Sequence, residues 1–143
     1  MAVDLSEALA PAALNETERR VVERIVSALQ ALLGEDLLAV WLYGSRARGE
    51  ADPTETDPDR RSDVDMLAVV DAARDAASVS WDVLPLVEEI ADAEGDSPVY
   101  YSVQVRDADW LADRREIRSF FVQEVDRDKI VLAGGDLEKG KDE

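Results

Sequence analysis

The sequence predicts an α+β domain, a small mixed sheet flanked by helices, and three observations carry that expectation. An apolar, β-prone run over residues 37–43 stops at Gly44-Ser45. A second apolar run over residues 66–70 grows out of Asp63-Val64-Asp65. It is followed by a helix-period segment over 79–93 and another β-prone run over 99–105, the pattern of a strand, a crossover helix and a parallel strand.

Taken in order, residues 5–13 can form a short helix interrupted at Pro11. The first long helix is better signalled. Asn15 is its cap, Glu18 lies three residues on, and Val22, Ile25, Leu29 and Leu32 recur at helical spacing before Gly34. The strand over 37–43 follows. Between Ser45 and Asp63 the chain reads as an inserted surface loop, because residues 52–61 are polar and broken by Pro53 and Pro58. After the second strand, Val83, Leu86, Val87 and Ile90 mark the crossover helix, which Gly95 ends. Beyond the strand over 99–105, Asp107 and Asp109 are placed to cap a helix opening at Trp110 and Leu111. A further helix is expected over 117–125 with Phe120 and Phe121 partly buried, then a short strand over 130–132 before Gly134-Gly135. Residues 1–135 are expected to form one domain, and the charged tail 136–143 is expected to be disordered.

Composition narrows the function classes. At 143 residues and 46% hydrophobic content the chain suits a single domain with a sizeable core. No apolar run approaches the roughly 20 residues that span a bilayer, and the first residues lack a basic region leading into an apolar stretch, so a cytoplasmic protein is expected. The chain has no Cys and no His. That removes disulfides, zinc-type thiolate or imidazole sites, and Cys or His nucleophile and base chemistry. A formal net charge of -17 argues against general nucleic-acid binding, which needs Lys and Arg against phosphates.

The chemistry concentrates in residues 42–70. Positions i and i+2 of a strand point to one side, so Asp63 and Asp65 can share a cation. Two carboxylates that close repel unless a divalent ion or solvent screens them, and magnesium suits such oxygens while leaving positions for water and phosphate. Glycine lets a backbone turn sharply and approach a ligand, and free N–H groups entering a helix attract anions. Gly44 and Ser45 therefore read as a phosphate cradle, with the Ser45 hydroxyl as a further donor and Arg46 and Arg48 as forked cationic donors.

These residues resemble the nucleotidyltransferase superfamily of DNA polymerase β type, and within it the minimal nucleotidyltransferase (MNT) proteins. The likeness covers residues 37–70 and rests on Gly-Ser-Arg-Ala-Arg-Gly from Gly44, followed by Ser-Asp-Val-Asp-Met-Leu-Ala-Val-Val from Ser62. It implies the polymerase β-like nucleotidyltransferase fold, with Gly44 and Ser45 holding the β- and γ-phosphates of ATP and Asp63 and Asp65 binding Mg2+. It also implies transfer of AMP to a hydroxyl with release of pyrophosphate. Two departures stand out. The loop between the motifs is long, and the strand over 99–105 lacks the third carboxylate of complete members, with Ser102 and Gln104 as its nearest polar substitutes. The resemblance further implies an antitoxin role beside a HEPN-domain toxin, some of which such proteins modify with AMP on a tyrosine. Aminoglycoside-type adenylyltransferases share the core but carry an additional helical domain.

Plainer readings stand beside these. Asp63-x-Asp65 can be a solvated strand face, Gly44 a turn glycine, Ser45 a helix cap, and Arg46 and Arg48 surface partners of the many acids. Trp41, Tyr43, Trp81, Trp110, Phe120 and Phe121 are expected in the core, and one of Tyr100 and Tyr101 toward the site. A degenerate transferase fold that neutralises a partner by contact, and a homo-oligomer, remain open.

Overall fold

The computed structural model describes residues 3–135 and 137. The expected tail lies outside them apart from Leu137. Four strands form one mixed sheet in the order β3-β2-β1-β4, with β1 at Leu37–Tyr43, β2 at Val64–Val70, β3 at Tyr101–Asp107 and β4 at Ile130–Gly134. β1 runs antiparallel to both of its neighbours, whereas β2 and β3 are parallel. The parallel pair is joined by a helix of Ala76–Ala93, the crossover that the sequence predicts.

The helices in chain order are α1 (Leu5–Ala8), α2 (Glu16–Leu33), α3 (Ser45–Arg48), α4 (Ala76–Ala93), α5 (Ala108–Glu116) and α6 (Phe120–Asp128). The predicted capping box of α2 is present: Asn15 Oδ1 accepts from the Glu18 N–H at 2.8 Å, and Glu18 Oε1 accepts from the Asn15 N–H at 2.9 Å. One sheet face packs on α2 and α4 through Val22, Ile25, Leu29, Val83, Val87 and Ile90. The opposite face packs on α5 and α6 through Trp41, Leu67, Val69, Leu111, Val122 and Val125. Alternate residues of β1, β2 and β4 thus feed two cores, whereas β3 feeds the first alone, through Tyr101, Val103 and Val105.

Several expectations shift, each for a local reason. Leu33 faces the core and Leu32 is largely exposed, a one-residue rotation of the apolar stripe. α1 stops at Ala8, short of Pro11, and the remainder of 5–13 is turns. α4 begins three residues earlier than its apolar pattern, because Asp75 accepts from the Ala77 N–H and caps it. Pro98 places residues 98–100 in a 3-10 turn, so β3 starts at Tyr101. Asp107 caps α5 as expected, accepting from Trp110 N–H at 2.8 Å, and Arg118 with positive φ separates α5 from α6. Trp81 and Phe120 are exposed at 76% and 77%, so neither belongs to the core. Among the described residues no helix is long and apolar enough to cross a membrane.

Gly134 closes the β1–β4 pairing at φ +67, and a Cβ there would lie 1.9 Å from the Leu38 carbonyl oxygen. Because that atom is backbone, it cannot swing aside. Gly134→Ala is expected to cost about 2 kcal/mol or more, read as a lower denaturant midpoint, and an unchanged midpoint would contradict the β4 register.

Candidate active site

The site forms at one end of the sheet, where β1 hands over to α3 and β2 begins. In the strand register Tyr43 lies opposite Asp65, and Asp65 lies opposite Ser102. Side chains directly across from one another share a face, so Tyr43, Asp65 and Ser102 make one row on the side covered by α5 and α6. Gln104, two residues along β3, donates from Nε2 to the Tyr43 hydroxyl at 3.0 Å. Burial, and then the nearby Asp65 charge, push the Tyr43 phenol up to about 12, so it stays protonated.

The turn supplies the opposite wall. Gly44 sits at φ +80, and a Cβ added to it would meet Asp65 Oδ2 at 2.9 Å. Only glycine allows the backbone this close to the carboxylate. The first N–H groups of α3 have no acceptor within their own helix. A cavity of about 290 Å3 opens between these walls, bounded by Tyr43, Gly44, Ser45, Arg48 and Asp65, and roofed by Phe121, Glu124 and Val125 of α6. Phe121 meets the Tyr43 ring edge-on at 5.5 Å. A larger groove of about 470 Å3 between α2 and α4, lined by Glu23, Arg24 and Glu89 among others, brings together no comparable set of groups.

Asp65 is the carboxylate of the pocket whose charge the fold disfavours. Asp65 is raised from 3.8 to about 6, first by burial and then by the charge of Asp63, with the charge of Arg46 only partly offsetting them. Among the described residues no hydrogen-bond donor contributes to holding its charge. Asp63 is exposed and lies outside the pocket lining, but a half-buried carboxylate within reach of its charge, without a donor of its own, fits a hard divalent ion. No group of three or more acids is gathered for a metal among the described residues, so the protein's share would be Asp63 and Asp65. Ser102 occupies the strand position across from Asp65, on the strand to which the resemblance assigns a third carboxylate.

The two arginines part company. Arg48 borders the pocket, donating from Nε to Glu50 at 2.8 Å and approaching Asp128 at 3.5 Å. Arg46 is turned the other way and is only 1% exposed. All five of its N–H donors are taken: Nε by Ser62 Oγ, Nη1 by Ala13 O and Glu18 Oε1, and Nη2 by Glu18 Oε2 and Ser62 O. It has no donor left for a phosphate, and the expectation that it lines the cradle is corrected on that ground. Neither Tyr100 nor Tyr101 turns to the pocket: Tyr100 lies under the Arg61 guanidinium and Tyr101 donates to Asp96 at 2.7 Å.

No family model matches the sequence. No curated protein matches it either. Among solved structures, the chain is similar to a "putative nucleotidyltransferase" from Sulfolobus solfataricus, at 16% identity and a TM-score of 0.44, over 92% of this chain and 87% of that one. At that TM-score, the functional reading rests on the residues of the pocket.

Sequence reasoning missed the α6 wall and the pairing of Tyr43 with Gln104. Phe121 and Val125 are four residues apart and so mark one helix face, but nothing in their spacing says that this face covers Gly44.

Proposed function

We propose that this chain is a magnesium-dependent nucleotidyltransferase that moves AMP from ATP to a hydroxyl, with a partner protein as acceptor. The observation that carries this reading is the donor-less Asp65 carboxylate, held beside Asp63 and within contact distance of the Gly44-Ser45 turn. In the reaction the acceptor oxygen bonds to the α-phosphorus, the bond to the bridging oxygen of the β-phosphate breaks, pyrophosphate departs, and the hydroxyl proton passes to solvent. Asp63 and Asp65 would hold Mg2+, which when bound neutralises charge on the phosphate oxygens. The N–H groups and hydroxyl of the Gly44-Ser45 turn receive the β- and γ-phosphates, and the α6 wall shields the pocket from water. Arg48 reaches the same oxygens by giving up Glu50, an exposed partner that binds it weakly, and its longer 3.5 Å contact to the more buried Asp128. The HEPN-type toxin as acceptor belongs to this proposal through the sequence resemblance alone.

A second reading, a degenerate fold that acts on its partner by contact, is favoured by Ser102 where a carboxylate base would stand. Calorimetric titration with ATP and Mg2+ separates the two. Binding by the wild-type chain, abolished by Asp63→Ala with Asp65→Ala, is expected for the transferase. Absence of wild-type binding would leave the contact reading.

A further inference from the structure

Glu18 and Arg46 are the charged side chains buried completely among the described residues, and neither borders the pocket. Their positions in the chain give them another use. Arg46 directly follows Ser45, and Ser62, whose hydroxyl and carbonyl both accept from Arg46 at 3.0 and 2.9 Å, directly precedes Asp63. The guanidinium is fixed from behind by Glu18, at 2.6 and 2.9 Å, and the Arg46 carbonyl accepts from the Ala13 N–H at 2.8 Å. Arg61 extends the grip. It donates to Glu18 Oε2 at 3.0 Å and to both oxygens of Asp96, which also accepts the Tyr101 hydroxyl beside Ser102.

We infer that Arg46 is a positioning residue of the candidate site: anchored on Glu18, it sets the spacing between the Gly44-Ser45 turn and Asp63 through Ser62. This rests on the proposed function only for what the site binds. A buried ion pair is weak evidence for a purely stabilising role, since apolar side chains of similar volume often serve as well. What apolar side chains cannot supply is direction. The planar fork of arginine aims separate N–H groups at Glu18 and at Ser62 simultaneously, and a lysine ammonium cannot reproduce that. The need is local, because the β1–β2 ladder ends where Tyr43 lies opposite Asp65 and residues 49–63 contain neither strand nor helix, so beyond that last pair the Arg46 contacts to Ser62 are what tie the approach to Asp63 to the turn.

Ser62→Ala tests the inference without unpairing Glu18 and Arg46, and Arg46→Lys tests it more severely. Two readouts are taken on the full chain: amide hydrogen exchange, and binding of Mn2+ with ATP followed by electron paramagnetic resonance. In both variants the amides of residues 44–48 and 62–66 are expected to exchange faster together, by about tenfold or more in Arg46→Lys, while the amides of α4 and β4 keep their wild-type rates. Mn2+ affinity is expected to fall by about tenfold or more in Arg46→Lys. Faster exchange spread evenly over the chain, or unchanged exchange at both segments in Ser62→Ala, would overturn the positioning role. Failure of the wild-type chain to bind Mn2+ with ATP would instead sink the functional reading, and the exchange pattern would still decide the role of Arg46.

Discussion

Asp65→Asn is expected to make the metal-free protein more stable at neutral pH while abolishing the proposed binding of Mg2+ and ATP. The sign follows from the carboxyl group being raised to about 6 in the folded chain against 3.8 unfolded. Between those values the folded state binds the proton more tightly, so this group's contribution to stability is greatest below about pH 4 and declines as pH rises toward 6. At pH 7 the ionised group weighs against folding by about 1–2 kcal/mol once its residual exposure is allowed for. The amide carries no charge to desolvate and none to oppose Asp63. Thermal unfolding in a chelator should show the variant above wild type at pH 7 and the gap closing toward pH 4. A variant less stable than wild type at pH 7 would show that the carboxylate is structurally favoured, and would remove the main support for a cation site.

Arg46→Met should have the opposite character: a large loss of stability. Methionine fills similar volume but leaves the Glu18 carboxylate fully buried with Arg61 as its remaining cationic partner, and it strips hydrogen bonds from two backbone carbonyls, Ala13 and Ser62. Breaking one side of a buried pair in this way costs about 3–5 kcal/mol. Adding Glu18→Leu removes the stranded charge, so the double variant should recover a good part of that loss, a non-additivity that denaturant unfolding can measure. Additive losses would mean that the two side chains do not depend on each other.

Much of the fold could be read from residue pattern, and the reasons for the exceptions are specific. The capping box, the crossover helix and the Asp107 cap are local arrangements, in which the deciding partners lie within four residues. The row of Tyr43, Asp65 and Ser102 was legible in part, because strand alternation places Ser102 and Gln104 on one face. Arg46 was misplaced because its destination is decided by Glu18, 28 residues away. A signal did exist. Ser45 and Arg48 are three apart on a helical turn and share a face, whereas Arg46 is rotated away from both. Glu18, next to Val21 and Val22 on the inward side of its helix, announced a buried acid in need of a cation. Trp81 and Phe120 escaped because hydrophobicity says that a side chain is better buried, not that a neighbour stands ready to cover it.

The clamp also bears on how the chain could change over time. Arg46 on one side and Arg61 and Ser62 on the other hold both ends of the segment between Gly49 and Arg60, and the Asn15 side chain donates to Pro53 within it. Closing a longer flexible loop costs only slowly more entropy. With its ends fastened independently of its contents, this segment can lengthen, shorten or exchange sequence while the carboxylate pair stays in register. The protein thus keeps a replaceable segment whose two ends are fastened next to the Gly44-Ser45 turn and Asp63.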